Sequence, residues 1–128
     1  MFRGLYATIV LVIATFVLGT PAIVLSLLRK GSDATMHCGK LWSRTMLHAV
    51  GARVTYRGLD HMRSRLPCIY IANHQSNVDI WALINALPPP TRFVAKESIF
   101  KIPLIGWAMA ASGFVPIDRG NRSRAVRS

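Results

Sequence analysis

Residues 71–81, IANHQSNVDIW, place one imidazole and one carboxylate five positions apart, His74 and Asp79. A carboxylate that accepts a hydrogen bond from one ring nitrogen fixes the histidine tautomer and stabilises the imidazolium. The other nitrogen is then free to act as a general base. Spacing decides whether the two can meet. On one helix, residues five apart point about 140° away from each other. On one strand they lie on opposite faces. They meet if the element changes between them, with His74 at the end of a strand and Asp79 in the first or second turn of the next helix. No committed nucleophile stands nearby, since Ser76 is only two positions from His74. The proton to be taken then belongs to a substrate hydroxyl, and N–H groups at the helix start can stabilise a developing oxyanion. A plainer reading uses the same residues. Asn73, Ser76, Asn77 and Asp79 all suit a helix cap, and His74 is then a loop histidine. On these residues alone the two readings stand level.

The elements around the pair follow from hydrophobic patterning. Residues 67–72 are a continuous apolar run after a turn and predict a buried strand, with Cys68 as a small buried residue. Residues 78–87 are helical in pattern, and Pro88 to Pro90 end that helix. Residues 52–57 alternate weakly and predict a strand, and 59–66 a polar, basic loop. Residues 92–95 are a third strand candidate. Residues 98–111 predict helix with a break near Pro103 and Gly106. Residues 114–117 are a fourth strand candidate, weakened by Pro116. Strands alternating with helices predict an α/β fold with parallel pairing. There is no internal repeat and no low-complexity segment.

Ahead of this unit, residues 5–28 contain no charged side chain. As a helix they reach about 36 Å, against a hydrocarbon core of about 30 Å, so they are long enough to span a bilayer. Gly19 and Pro21 also allow a kink or a shallow course. Only Arg3 precedes the run, whereas Arg29, Lys30, Lys40, Arg44, Arg53 and Arg57 follow it, which puts the rest of the chain on the cytoplasmic side. Ser32 and Asp33 suit an N-cap and Gly51 a stop, so 33–50 predicts a second helix. Leu41, Trp42, Met46, Ala49 and Val50 make its apolar side, and His37, Lys40, Arg44 and His48 its basic side. Such a helix can lie on a membrane or pack on the first helix, and the sequence leaves both open. The chain divides into an anchoring segment, 1–50, and a second unit, 51–128.

Composition points the same way. Of 128 residues 52% are hydrophobic, and sixteen Lys and Arg against five Asp and Glu give a formal charge of +11. That balance wants an anionic partner, and with so much apolar content a membrane surface fits better than nucleic acid. Phosphate-bearing substrates are also compatible. The basic residues form no helix-turn-helix or RNA-binding pattern, so no nucleic acid is expected. Cys38 and Cys68 make no disulfide framework, which favours a reducing compartment, and His37, His48, His61 and His74 lack zinc-site spacing, so no metal is expected. A competing reading from another class is a non-catalytic membrane-anchored protein that binds anionic lipids through its basic surface.

The block NHQSNVD at 73–79 resembles the signature of the glycerolipid acyltransferases: Asn-His, four residues, then Asp. FVAKESIFKIPLIGW at 93–107 is similar to the Lys-containing segment that follows in that family. GFVPIDRGNR at 113–122 is similar to its second conserved block, which ends in Asp-Arg. The apolar segment and amphipathic helix are similar to the family's membrane-associated start. The pattern is most similar to the 1-acyl-sn-glycerol-3-phosphate acyltransferase type. His-x4-Asp alone is a weak signal, whereas three blocks in order are specific.

The resemblance implies N-terminal membrane-associated helices followed by a partial, mostly parallel-sheet acyltransferase domain. It implies transfer of a fatty acyl chain from acyl-CoA or acyl-carrier protein to the free hydroxyl of lysophosphatidic acid, giving phosphatidic acid at a membrane phospholipid bilayer, with no cofactor besides the donor. His74 is then the general base and Asp79 its orienting partner, and the hydroxyl attacks the thioester directly. Arg119, beside Asp118, would hold the acceptor's phosphate through a bidentate fork. Lys96 and Gly113 are further substrate-binding candidates. The plain alternatives are a solvated strand-end charge for Arg119 and surface charges for Lys96 and Glu97. The family's third block, Glu-Gly-Thr-Arg, and a later proline-containing block have no counterpart here. The chain is therefore expected to be an incomplete fragment with little or no activity of its own.

Overall fold

The structure, a computed structural model, describes residues 2–28, 34–62, 67–118 and 120. Its architecture is α/β: an apolar N-terminal helix and an amphipathic second helix followed by a small parallel sheet with helices. Helix α1 (Phe2–Leu28) carries Pro21 inside it, and its stretch Gly4–Ser26 is long and apolar enough to cross a membrane. Three of its hydroxyls are satisfied within the helix: Thr8 donates to Gly4 O at 3.0 Å, Thr15 to Leu11 O at 2.7 Å and Ser26 to Ile23 O at 2.6 Å. Back-bonding of this kind removes the cost of taking a hydroxyl out of water.

Helix α2 (Ala34–Ala49) packs against α1. The contact stripe of α1 is small, with Ala14, Thr15, Ala22 and Ser26 buried, so the helices approach closely. The Trp42 indole N–H donates to Thr15 Oγ1 at 3.1 Å and pins the middle of α2 to the middle of α1. Helix α2 thus packs on α1 with His37, Arg44 and His48 on its exposed side, which leaves that side open to a membrane surface as well. The expected cap residues Ser32 and Asp33 lie outside the described residues. The stop is as expected. Gly51 turns out of α2 at φ 70°, and the Ala52 N–H returns to Leu47 O at 2.9 Å.

Beyond α2 come a short 3-10 turn, Leu59–Met62, then α3 (Asn77–Ala86), β1 (Val94–Lys96), α4 (Glu97–Phe100), α5 (Ile105–Ala111) and β2 (Val115–Ile117). The two strands pair in parallel, Val94 with Val115, Ala95 with Pro116 and Lys96 with Ile117. The crossover between them is the helical segment expected over 98–111, and it breaks where expected. Residues 101–104 separate α4 from α5. The Ile105 N–H donates to Pro103 O at 2.7 Å around Leu104, whose φ is 62° and ψ −55°. This is a tight γ-turn of the positive-φ kind. Gly106 sits against the end of α4, where an added Cβ would lie 2.1 Å from Phe100 O.

Two expected strands do not form. Residues 67–72 join no ladder, and the run is exposed rather than buried, with Ile69 at 90% and Ile71 at 93%. Cys68 is likewise exposed, not buried. Residues 52–57 also stay outside any ladder, although Tyr56 donates to Ala82 O at 3.1 Å and ties the segment to α3. The physical reason is common to both. An apolar or alternating run specifies which faces want burial, but a strand also needs a partner to take its N–H and C=O groups. Among the described residues the sheet is only β1 and β2, and neither segment pairs with it.

Candidate functional site

Helix α3 begins with a capping box. Ser76, extended at φ −144° and ψ 151°, is the N-cap, and its hydroxyl accepts from the Val78 N–H at 3.3 Å. Asp79, at the third helical position, reaches back. Its Oδ2 accepts from the Gln75 and Ser76 N–H groups, each at 2.8 Å. Ser-x-x-Asp is the sequence cause, because a short acidic side chain three residues after a hydroxyl can satisfy the orphan donors of the first turn.

The same Asp79 oxygen lies 3.5 Å from His74 Nδ1. The contact is long for a hydrogen bond, and its sense is clear: the Nδ1 edge of the imidazole faces the carboxylate and Nε2 is directed elsewhere. The pair therefore meets across a change of element, as the five-residue spacing requires, though His74 sits on unladdered chain rather than at a strand end. The carboxylate that caps α3 is also the one that faces the imidazole, so the cap and the His74 contact share one group. The backbone N–H groups of Gln75 and Ser76 hold Asp79's carboxyl below the usual carboxylate range, and His74 adds to the effect in a smaller way. Asp79 is thus ionised and fixed at neutral pH, with side-chain exposures of 41% for His74 and 39% for Asp79 leaving the pair open to a substrate.

One expectation about this region changes, and the Ser76 hydroxyl, not a committed nucleophile by sequence, is engaged as the cap. The N–H groups of Gln75, Ser76, Val78 and Asp79 are taken by Asp79, by the Ser76 hydroxyl and by Ser76 O, so those four are not free to hold an oxyanion.

What positions α3 was not read from the sequence. The Ser43 hydroxyl of α2 donates to Trp81 O, and the Asn85 amide donates to Ser43 Oγ at 2.8 Å and Trp81 O at 2.9 Å. Arg44 Nε donates to Asn85 Oδ1 at 3.1 Å. Beside this network Trp42 and Trp81 meet edge to face at 6.3 Å. A run of contacts thus leads from Thr15 of α1 through Trp42 and Ser43 of α2 to α3, and so to Asp79. The signal available in the sequence was Asn85, the one polar residue between Asp79 and the end of an otherwise apolar helix.

The remaining candidates gather at the sheet. Lys96 ends β1 and is exposed; its register partner Ile117 ends β2, and Asp118 follows. Lys96 and Asp118 therefore share the carboxyl edge of a parallel pair, where α/β folds place ligands. Asp118 Oδ1 accepts from the Gly120 N–H at 2.9 Å. Arg119 lies outside the described residues. Gly113 has φ 73°, and a Cβ there would stand 2.9 Å from Arg92 Nε, so the turn into β2 needs glycine for its backbone and for the Arg92 side chain. Glu97 is exposed and faces Lys101 at 3.9 Å, a solvated pair.

A family profile described as Acyltransferase matches residues 53–128. A chloroplastic 1-acyl-sn-glycerol-3-phosphate acyltransferase of Brassica napus is 40% identical over 81 residues, which are 62% of this chain and 23% of the relative. A 1-acyl-sn-glycerol-3-phosphate acyltransferase of Saccharomyces cerevisiae is 33% identical over 105 residues, 82% of this chain and 34% of the relative. One of Escherichia coli is 40% identical over 75 residues, 59% and 31%. The chain spans between 23% and 34% of the length of these curated relatives. No solved structure matches it significantly.

Proposed function

We propose, from the premise that this chain belongs to the acyltransferase family, that it serves the transfer of a fatty acyl group from a thioester donor to the free hydroxyl of lysophosphatidic acid. The observation that carries the proposal is the His74–Asp79 contact at 3.5 Å, with Asp79 locked by its cap so that one edge of the imidazole is held and the other is open. In this reading the Nδ1–H faces Asp79, and Nε2 takes the proton of the acceptor hydroxyl as its oxygen attacks the thioester carbonyl carbon. The carbon–sulfur bond breaks, and the thiol leaves with the proton that His74 held. Charge on the imidazolium during the attack is balanced by a carboxylate that needs no reorganisation, because the backbone already holds it. The donor, acyl-CoA or acyl-carrier protein, brings the activated bond. Lys96 and Arg119 would offer cations to the acceptor's phosphate, with Asp118 and the Gly113 turn shaping the same edge.

The acceptor is a membrane lipid, and the helices suit it. The unit 1–50 acts as the seat and 51–128 as the chemical unit. Trp42 lies against Thr15, near the middle of α1, so Lys40 and Arg44 lie level with its central turns. Were α1 upright across the bilayer, those cations would sit at mid-depth at a cost of about 2.5–3.5 kcal/mol each. Embedding α1 and α2 together in one leaflet, with the basic side of α2 at the headgroups, avoids that cost. A seat rich in Lys and Arg suits the anionic cytoplasmic leaflet, which would put the chemistry on the cytoplasmic face.

The test is product formation. Vesicles carrying a full-length version of the protein, radiolabelled lysophosphatidic acid and acyl-CoA should yield labelled phosphatidic acid with stoichiometric release of CoA thiol. Transfer to water or to glycerol 3-phosphate, with lysophosphatidic acid left unused, would reject the proposed acceptor.

A further inference from the structure

The geometry points to a second contact with the lipid surface: we propose that the joint between α4 and α5 inserts Ile102 and Trp107 at the headgroup boundary beside α1. This rests on the reading of α1 and α2 as a membrane seat. Trp42 and Trp81 pack edge to face within the protein, whereas Trp107 leaves 60% of its surface exposed and Ile102, five residues earlier, leaves 46%. Ring and aliphatic surface of that size, left open on a rigid element, is costly in water.

The joint is built to hold its shape. Gly106 is wedged against Phe100 O, and the γ-turn over Pro103, Leu104 and Ile105 fixes the entry to α5. Ile102 and Trp107 flank that turn, so they cannot be drawn inward without unmaking it. The occupant follows from what lies alongside. Helix α5 packs on α1, whose own Tyr6, Ile9, Ile13 and Phe16 are exposed, so the joint continues the surface that the bilayer would cover. Lys101 is 76% exposed at the same joint and suits anionic headgroups. A tryptophan, apolar with a single N–H donor, is the side chain best matched to the boundary between headgroups and acyl chains. The consequence is a fixed tilt. With α1 and α5 both held at the surface, the sheet edge with Lys96 and Asp118 keeps one orientation toward the lipid.

The probe is a vesicle of phosphatidylcholine and phosphatidylglycerol whose acyl chains are brominated either near the headgroup or deep. Tryptophan emission of the full chain is compared with that of Trp107→Phe. Shallow bromines should quench the wild type more than deep ones, and Trp107→Phe should lose a clear part of that shallow quenching, the remainder coming from Trp42 on α2, while still floating with the vesicles. Ile102→Trp should add a further shallow-quenched, blue-shifted signal, which reads the joint even if Trp107→Phe does not fold. Equal quenching of wild type and Trp107→Phe, or an unquenched fourth tryptophan in Ile102→Trp, overturns the inference and leaves the seat intact. A blue-shifted but unquenched Trp107 means that protein covers the joint, and also overturns it. A chain that does not float at all overturns the seat and the inference together.

Discussion

Asp79 performs two tasks with one carboxylate, and the tasks separate under substitution. His74 takes no part in the capping box, so His74→Ala should leave the urea midpoint of the fold unchanged. Asp79→Asn removes the charge from the first turn of α3 and should lower the urea midpoint. Acid titration reads the same group. The folded carboxyl of Asp79 is depressed, so its contribution is fully present above the unfolded value of about 3.9 and is lost as pH falls through the folded value beneath it. Between pH 5 and pH 2.5 the wild type should lose more stability than Asp79→Asn, measured by urea unfolding at each pH. Equal losses would mean that the backbone contacts to Asp79 are not made in solution.

The elements that aim this pair are held by contacts that no local pattern announces. Asn85 donates twice and accepts once between α2 and α3, so Asn85→Ala leaves Ser43 and Arg44 without that partner and should cost about 1–3 kcal/mol. Gly106→Ala would drive a methyl into Phe100 O and should cost about 1–3 kcal/mol through overpacking of α4 on α5. Either cost is read from the shift in a chemical unfolding midpoint. These two residues also mark the limits of sequence reading. The Gly106 break was legible because glycine beside proline interrupts a helical period. The α3 boundaries were legible because Ser76 and the prolines at 88–90 punctuate an apolar run. The role of Asn85 was not, since a polar residue on an apolar helix says that it has a partner without saying which. The runs at 52–57 and 67–72 misled for the converse reason. Their patterns name the face to be buried, whereas the ladder depends on partners that local pattern does not name. At the site, the spacing allowed His74 and Asp79 to meet across a change of element without deciding that they do, whereas the engagement of the Ser76 hydroxyl and of the first-turn N–H groups depended on three-dimensional capping.

For the molecule as a whole, a run of contacts from Thr15 through Trp42 and Ser43 joins α1 to α3, which carries Asp79. The embedded arrangement of α1 and α2 predicts that tags at the N-terminus and at Ser128 are cut by protease from the same side of sealed vesicles; cleavage from opposite sides would require α1 to span. In the proposed reaction His74 is the base and the cap around it is scaffold. The most direct test is thiol release from acyl-CoA with vesicle-borne lysophosphatidic acid, comparing His74→Ala with Ser76→Ala in the same full-length protein. His74→Ala should keep the fold and lose about 10²–10⁴-fold in turnover. Ser76→Ala should lose about 1 kcal/mol of stability and keep most of its turnover. Turnover unchanged in a folded His74→Ala protein would contradict the account.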